Sequence, residues 1–334
     1  MKKTYYLFNP GRLSRKDNTL KFTPVDEAGR DLKPRYLPVE QVDSFYVFGS
    51  LDANSAVYNF LGKNDVAVHF YDYYENYTGS FSPRNKLLSG KMIIAQTKAF
   101  LNKKDRQAIA IKFIEGAAYN MIKNLKYYDN RGKDMSPFIE EITKLQQKIP
   151  ECTDIATLMG IEGNIRKWYY DAFNLIINDH EMGGRTKQPP LNIVNSLISF
   201  GNMLCYSECL RSIQQTQLDP TISFLHEPGE RRYSLSLDIS EVFKPLLVDR
   251  VIFKVLNKKE LQENDFEQKL NRVVLKEKGK IKFLKAYEAR LQETIKHRSL
   301  NRDVSYKHLM KLECYKLQKH LLNIEEYKAF KMYW

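Results

Sequence analysis

Cysteine is scarce in this 334-residue sequence, which contains four. No two of them form a CxxC pair, and their spacing fits neither a disulfide framework nor a zinc site. Cys205 and Cys209 lie four residues apart in an apolar stretch, which favours packing inside a helix, and Cys152 and Cys314 stand alone. We therefore expect a reducing, cytoplasmic environment.

Long apolar runs are also missing. No segment approaches the roughly 18 apolar residues that a membrane-spanning helix requires. The first eight residues are basic and then apolar, but Asn9-Pro10-Gly11 interrupts them too early for a signal peptide. The motifs of P-loop and dinucleotide-binding proteins, of α/β-hydrolases and of HExxH zinc enzymes do not occur. We predict no membrane partner and none of these motif-defined activities.

Positive charge is abundant. The chain has 53 Lys and Arg residues against 40 Asp and Glu residues, for a formal net charge of +13. Such an excess favours a polyanionic partner, above all nucleic acid, although an ordinary basic soluble protein is the alternative. Hydrophobic residues make up 43% of the chain, which is enough for real cores, and the length allows about two domains.

The hydrophobic period changes from two residues to 3.6 residues near position 83. Before it, Val66, Val68 and Phe70 share one face of a strand, and a short helix has Asp52 or Asn54 as its N-cap. After it the pattern is helical; for example, an apolar stripe recurs every seven residues at Leu87, Ile94 and Leu101. We predict an α+β fold with a β-rich domain over 1–83 and a larger all-helical domain over 84–334.

Glu162 is the first candidate site residue, because Gly160 and Gly163 flank it and allow close approach of a substrate. We place it in the first turn of a helix, about 100° from the centre of an apolar stripe, where it borders the core beside Arg166 and Tyr169. The predicted stripe comprises Ile161, Ile165, Trp168, Ala172 and Leu175. The alternative is an ordinary first-turn acid favoured by the helix dipole.

His226, Asp238 and Glu241 are the other candidates. His226 lies in a Pro/Gly turn, and Asp238 and Glu241 are three residues apart on one predicted helix, after a predicted short strand over 234–237. Carboxylates and one imidazole suit a hard divalent cation, and in a basic chain such a cation indicates chemistry at a phosphate backbone. Each residue also has a structural alternative, as a buried histidine or as helix N-terminal acids.

Two basic residues, Arg231 and Arg232, stand between the histidine and these acids. They would lie beside a bound phosphate, and the alternative is a solvated basic turn.

Taken together, these segments resemble the CRISPR-associated integrase family, the catalytic subunit of spacer acquisition. The matching segments are Gly160–Gly163 with Arg166 and Tyr169, then NSLISFG at 195–201, FLHEP at 224–228, SLSLDISEVFKP at 234–245 and LVDR at 247–250. In the N-terminal part, the segment 37–49 and the junction SPRN at 82–85 also match. Together these matches cover essentially the whole chain, and their order and spacing are specific.

The resemblance implies a site that binds Mg²⁺ or Mn²⁺ through Glu162, His226 and Glu241, with Asp238 as an assisting catalytic acid. It leaves open whether Asp238 or Glu241 touches the metal, and whether His226 is a ligand or a proton carrier. Contacts to DNA phosphates are expected from Arg166, Tyr169, Arg231 and Arg232.

It further implies a DNA endonuclease and integrase that joins the 3′-hydroxyl ends of a short duplex into the CRISPR repeat by transesterification. Homodimers would form through the β-rich domain and flank a small second adaptation protein in a hetero-hexamer. Two alternatives remain, a metal-dependent nuclease acting on branched or single-stranded DNA and a non-catalytic, basic DNA-binding scaffold.

Overall fold

The computed structural model describes residues 2–74, 76–83, 87, 89–229, 233–269 and 271–333. The chain divides into two compact units, Met1–Lys86 and Leu87–Trp334. Strands dominate the first unit and helices the second, which confirms the α+β fold class. Among the described residues, no helix is both long enough and apolar enough to span a bilayer.

The first unit contains two four-stranded sheets. One has the strand order β1-β5-β7-β8, in which β1, β5 and β7 are parallel and β8 pairs antiparallel with β7; the other has the order β4-β3-β2-β6. The elements are β1 (Lys3–Leu7), β2 (Gly11–Lys16), β3 (Thr19–Pro24), β4 (Arg35–Pro38), β5 (Val42–Val47), β6 (Leu51–Asp52), α1 (Ser55–Lys63), β7 (Ala67–Tyr71) and β8 (Tyr77–Phe81).

The hydrophobic core of this unit forms where apolar strand faces meet α1. Phe45, Val68 and Leu61 are completely buried there, and Phe70 packs against the same cluster. Asn54 caps α1, since its side chain accepts a hydrogen bond from the Val57 amide at 3.1 Å. Of the two N-caps expected from the sequence, Asn54 is therefore the one used.

The second unit is built mainly from ten helices in its described part. They are α2 (Gly90–Leu101), α3 (Lys103–Asp129), α4 (Ser136–Lys148), α5 (Ile155–Asp171), α6 (Phe173–Ile176), α7 (Ile193–Gln214), α8 (Ser234–Lys244), α9 (Arg250–Asn257), α10 (Glu277–Gln292) and α11 (Tyr306–Leu321). A π-helical segment, Pro245–Asp249, joins α8 to α9 without a break.

Two short hairpins add to the helices: β9 (Phe266–Lys269) pairs with β10 (Arg272–Leu275), and β11 (Thr294–His297) pairs with β12 (Arg302–Ser305). The sequence analysis did not predict them, because four-residue strands rich in charge carry almost no alternating apolar signal.

Helix α8 lies at the centre of this unit, packed between α3 and α7. Two buried asparagines of α3 fix its position. The Asn120 side chain donates to the carbonyl of Val242 at 2.9 Å, and the Asn124 side chain donates to the carbonyl of Pro245 at 2.6 Å. Because a buried amide without partners is costly, these bonds hold α8 and the π-helical segment in one register along α3.

The stripe predicted for α2 faces the wrong way. Leu87, Ile94 and Leu101 are 41%, 57% and 72% exposed, whereas α2 buries Met92 and Gln96. The Gln96 amide donates to the carbonyl of Asp219 at 3.1 Å and its carbonyl accepts from the Asp219 amide at 2.7 Å. Because Gln96 has these hydrogen-bond partners, it is buried at little cost, and α2 buries the face that carries Gln96 instead of the predicted apolar face.

Candidate active site

Helix α5 carries Glu162. The helix begins at Ile155, where the Asp154 side chain accepts from the Thr157 amide at 2.8 Å. Glu162 is therefore two turns into α5, and the prediction that it belongs to the first turn is wrong. The helix dipole acts mainly within the terminal turn, so it does not account for an acid here.

The face that α5 buries matches the predicted stripe only in part. Ile165 and Ala172 are buried as predicted, whereas Trp168 and Leu175 are 37% and 47% exposed. Tyr169 and Phe173 are completely buried, so the core face is shifted toward the line of Glu162, Tyr169 and Phe173. Glu162 points into the protein and needs a partner there.

Arg166 is that partner, and it also reaches the opposite helix. Its guanidinium contacts the carboxylates of both Glu162 on α5 and Glu241 on α8. Lys244, one turn further along α8, donates from Nζ to Glu241 Oε1 at 2.5 Å. Two acids and two cations are thus nearly buried together, and their pairing offsets the cost of removing each from water.

The charge of Arg166 is fixed by this environment. Burial disfavours its cationic form, but the carboxylates of Glu162 and Asp249 and the nearby hydroxyl of Tyr170 raise the pKa of Arg166 above its ordinary value. The guanidinium is therefore a permanent cation that bridges the two candidate metal-binding acids.

Asp238 organises the histidine. It is completely buried, and its carboxylate accepts hydrogen bonds from the backbone amides of Phe224, Leu225 and His226 at 2.7, 3.0 and 3.0 Å. It also lies 2.8 Å from Nδ1 of His226. Because an acid with three N–H donors acts as an acceptor, Nδ1 of His226 is the donor in this contact, and Nε2 is the ring nitrogen left for another partner.

The turn that carries His226 is held from two more sides. Arg106 of α3 donates to the carbonyl of Phe224 at 2.9 Å and to the Glu227 carboxylate at 2.6 Å. The Ser223 hydroxyl donates to the carbonyl of His226 at 2.6 Å. The imidazole is therefore fixed in position, and its side chain keeps 20% of its surface exposed.

The residues 234–237 are the first turn of α8, so the predicted strand is wrong. The Ser-Leu alternation imitates a strand period. Ser236, however, donates its hydroxyl to the carbonyl of Tyr233 at 2.7 Å, and Ser240 donates to that of Leu237 at 2.7 Å. Local hydrogen bonds of this kind allow buried serines in a helix.

The structure thus brings the candidates together as two pairs. Glu162 and Glu241 share Arg166, and His226 and Asp238 share a hydrogen bond, while Asp238 and Glu241 lie one turn apart on α8. In the part of the chain that the structure describes, no three His, Cys, Asp or Glu side chains lie close enough to hold one metal ion.

The residue types nevertheless fit Mg²⁺ or Mn²⁺. Two carboxylates are held next to each other, and an imidazole is backed by a carboxylate at its other nitrogen, an arrangement typical of metal-ligating histidines. Asp238 fits less well as a ligand, since four donors already use its oxygens.

The expected phosphate contacts have different outcomes. Tyr169 is completely buried, with its hydroxyl 2.9 Å from the Asn124 amide nitrogen, which leaves no surface for DNA. Arg166 is engaged with the two glutamates. Arg231 and Arg232 lie outside the described residues.

Two groups beside the site had no role in the sequence analysis. Lys244 stands one turn from Glu241, a spacing from which the ion pair could have been predicted. Asp249 is buried in the π-helical segment, and burial raises the pKa of Asp249 to about 7 although the nearby Arg166 and Tyr169 oppose the shift. No local pattern indicates that proximity, because Asp249 lies far along the chain from both residues.

Comparison with known proteins gives consistent matches. A family model described as CRISPR associated protein Cas1 matches residues 5–289. The CRISPR-associated endonuclease Cas1 of Fusobacterium nucleatum is 45% identical over all of this chain and 98% of its own length. The structure of a Cas1 protein from Thermotoga maritima is 36% identical and covers 98% of this chain and all of its own, with a TM-score of 0.85.

A casposase bound to integration product has the same fold at 21% identity, with a TM-score of 0.87 over 99% of this chain and 93% of its own.

Proposed function

This chain belongs to the CRISPR-associated protein Cas1 family, and we propose that it is a metal-dependent DNA endonuclease and integrase of spacer acquisition. In this proposal it joins the 3′-hydroxyl ends of short duplex DNA to the CRISPR repeat by transesterification. The main supporting observation is that Glu162 and Glu241, from distant parts of the chain, are nearly buried and both contact Arg166, while Asp238, one turn from Glu241 on α8, fixes the imidazole of His226.

Burying these two acids costs free energy, so a functional reason for their presence is expected. Removing two carboxylates from water costs several kcal/mol each before pairing, and apolar residues of similar size would fill the same space at least as well. A DNA-binding scaffold would gain nothing from these acids, since acids repel a phosphate backbone. The cluster therefore supports catalysis over the scaffold alternative.

Each residue then has a specific role. Glu162 and Glu241 would be carboxylate ligands, and Nε2 of His226 would be the imidazole ligand or the proton carrier. A bound Mg²⁺ or Mn²⁺ would polarise the scissile phosphate and stabilise charge on the attacking and leaving oxygens. Asp238 is a positioning residue, because its four hydrogen bonds fix the imidazole and its turn.

Glu162 and Glu241 would hold a divalent cation only if Arg166 released their carboxylates. The long side chain of Arg166 would then be free to contact a DNA phosphate, as expected from the sequence, because guanidinium binds phosphate as readily as carboxylate. With either cation in place, neither acid would be left buried and unpaired.

The assembly and location are further parts of the proposal. The net charge of +13 supports DNA as the partner. Four free, buried cysteines suit a reducing cytoplasm. The family resemblance supports a homodimer formed through the β-rich unit and a hetero-hexamer with the small second adaptation protein.

Strand transfer tests this proposal. A labelled short duplex with free 3′-hydroxyls is mixed with a supercoiled plasmid carrying a CRISPR repeat, with Mg²⁺ or Mn²⁺, and with or without the small partner. Wild type is compared with Glu162→Gln and His226→Asn, and with Glu140→Gln as a matched exposed carboxylate on α4. We expect label in the plasmid for wild type and Glu140→Gln, and a loss of at least about 100-fold for the two site variants.

The products separate the alternatives. Shortened strands without joined label would indicate a nuclease of branched or single-stranded DNA. No reaction by any protein, with equal DNA binding by all four, would indicate a scaffold.

A further inference from the structure

An irregular segment of the chain is buried in the helical unit. Residues 326–333, the last described part of the chain, follow α11 and belong to no helix or strand. Segments of this kind usually run over the surface. Here, however, Tyr327, Phe330 and Met332 are 1%, 7% and 0% exposed. We call residues 327–332 the strap, and their burial makes the strap part of the packed core.

Asn120 of α3 binds the strap and α8 at the same time. It is completely buried, and its Nδ2 donates to the carbonyl of Val242 on α8 at 2.9 Å and to that of Phe330 in the strap at 3.0 Å. Its Oδ1 accepts from the amide of Met332, also in the strap, at 2.9 Å. Because a buried polar atom without a partner is costly, displacing the strap would leave two groups of Asn120 unpaired and favour another orientation of its amide.

The strap also contacts α8 directly. The rings of Phe330 and Phe243 are stacked, with 6° between their planes and 6.0 Å between their centroids. Phe243 is completely buried and lies two residues after Glu241 on α8. The strap therefore touches α8 within one helical turn of a candidate metal ligand.

Helix α11 holds the other side of the strap. The nearly buried carboxylate of Glu313 accepts from the hydroxyl of Tyr327 at 2.6 Å and from the amide of Phe330 at 3.0 Å. Lys316 Nζ lies 2.5 Å from the other carboxylate oxygen, and this ion pair offsets the cost of burying the acid. Burial raises the pKa of Tyr327 well above its ordinary value, and the negative charges of Glu313 and Asp238 raise it further. Tyr327 is thus close to the acid that fixes the imidazole.

We propose that the strap positions α8 for metal binding, with Asn120 as the positioning residue through which it acts. Helix α8 carries Glu241, a candidate ligand, and Asp238, the partner of the imidazole, so a shift of α8 displaces both groups together. Partners behind the ligands fix the orientation of the ligands, and their loss lowers metal affinity. The inference rests on the proposed function in taking a divalent cation as the ligand, whereas the hold of the strap on α8 does not depend on it.

An exchange of side-chain size tests the strap without altering any candidate site residue. Gly116 lies one turn before Asn120 on α3. A Cβ added at Gly116 would be 2.7 Å from the Cβ of Ala329 in the strap, but 3.6 Å from the side chain of Val242, which is an ordinary contact. Gly116→Ala therefore pushes the strap away from α3. The double variant Gly116→Ala/Ala329→Gly removes the opposing methyl group and restores the space.

Gly279→Ala on α10 is the matched control. Its new Cβ would also lie 2.7 Å from another atom, the backbone oxygen of Asp265, and its other close neighbour is the side chain of Leu275. We expect Gly116→Ala and Gly279→Ala both to lower the melting temperature, because each overfills a packed position. If the strap only stabilised the fold, both variants would bind metal like wild type at temperatures where they are folded.

Two readouts on the folded, full-length proteins separate these cases. The affinity for Mn²⁺ alone is measured from the electron paramagnetic resonance signal of the free ion, and we expect Gly116→Ala to bind at least about tenfold more weakly than wild type. Hydrogen exchange in EDTA follows the three backbone amides that donate to Asp238, and these should exchange at least about tenfold faster in Gly116→Ala. The double variant should return to within about threefold of wild type in both readouts, and Gly279→Ala should stay within the same range.

The outcomes decide the proposal. Where wild type binds Mn²⁺, an unchanged affinity of Gly116→Ala would overturn it, and so would an equal change in Gly279→Ala or a lack of recovery in the double variant. If wild type binds no Mn²⁺, the metal dependence of the proposed function fails, and hydrogen exchange alone then decides about the strap.

Phe330→Leu is a milder test that does not depend on the folding of Gly116→Ala. It keeps an apolar side chain in the strap but removes the ring stacked on Phe243. Phe283→Leu is its control, since Phe283 is completely buried and its ring lies 5.6 Å from that of Phe200. We expect Phe330→Leu alone to lose about two- to tenfold in Mn²⁺ affinity and to exchange the same amides faster, in line with the strength of an aromatic pair. Equal values for the two leucine variants would refute the role of the strap.

Discussion

Asp238→Asn probes the most heavily hydrogen-bonded side chain of the candidate site. The wild-type carboxylate accepts from three backbone amides and from Nδ1 of His226. Asparagine has the same shape but one acceptor oxygen, and its NH₂ group would face two of those four donors. Each buried donor left unsatisfied costs about 1–3 kcal/mol, so the free energy of unfolding should fall by about 2–6 kcal/mol.

A loss of that size is a large part of the 5–15 kcal/mol typical of a folded domain. Urea denaturation followed by tryptophan fluorescence measures it, because Trp168 is on α5 and reports on the helical unit. Asp303→Asn, at an exposed position on β12, is the matched control and should change stability by less than about 0.5 kcal/mol.

A functional readout accompanies the stability measurement. With its Nδ1 partner altered, the imidazole loses its fixed tautomer, and the affinity for Mn²⁺ should fall about 10–100-fold even where the variant is fully folded. If Asp238→Asn loses less than about 1 kcal/mol and binds Mn²⁺ normally, the reasoning about this side chain is refuted.

Burial raises the pKa of Asp249 to about 7, so the free energy of unfolding of wild type should fall by up to about 4 kcal/mol between pH 4 and 7. Asp249→Asn should abolish that fall, and parallel curves of stability against pH for the two proteins would contradict the prediction. Gly201→Ala places a Cβ 2.4 Å from Val248 and should lower the free energy of unfolding by about 1–3 kcal/mol. Gly160→Ala has open space around it and should stabilise α5 by up to about 1 kcal/mol, so equal shifts in melting temperature would refute the packing argument. EDTA should abolish strand transfer and added Mn²⁺ should restore it; joining that persists in EDTA would exclude metal dependence.

Local patterns account for what the sequence predicted well. The change of hydrophobic period near position 83 reflects the different side-chain spacing of strands and helices, which is a local property of each segment. The structure divides into two units close to that position, between Lys86 and Leu87. The proximity of Asp238 and Glu241 also follows from helix geometry alone. The roles assigned to the two domains stay predictions.

Long-range contacts account for most of the structural features that could not be predicted from the sequence. Helix α2 buries the face of Gln96 because the side-chain amide of Gln96 forms hydrogen bonds with backbone groups of a loop far along the chain. The contact of Arg166 with Glu162 is local, but its contact with Glu241 requires α5 and α8 to be adjacent. Asp238 accepts hydrogen bonds from backbone amides, and residue types do not indicate which backbone amides will face a given side chain.

The π-helical segment Pro245–Asp249 is where a change of chain length disturbs the helical unit least. A π-turn holds one residue more than an α-turn, so deletion of one residue here would let α8 and α9 merge into a regular helix. The wide turn already absorbs that extra residue, so α9 would keep nearly the same rotation relative to α8, and Arg250 would stay near Tyr127. A deletion in a regular turn of α8 or α9 would instead rotate every side chain beyond it by about 100°. We therefore expect single-residue deletions to be tolerated more often within Pro245–Asp249 than in the helical turns on either side.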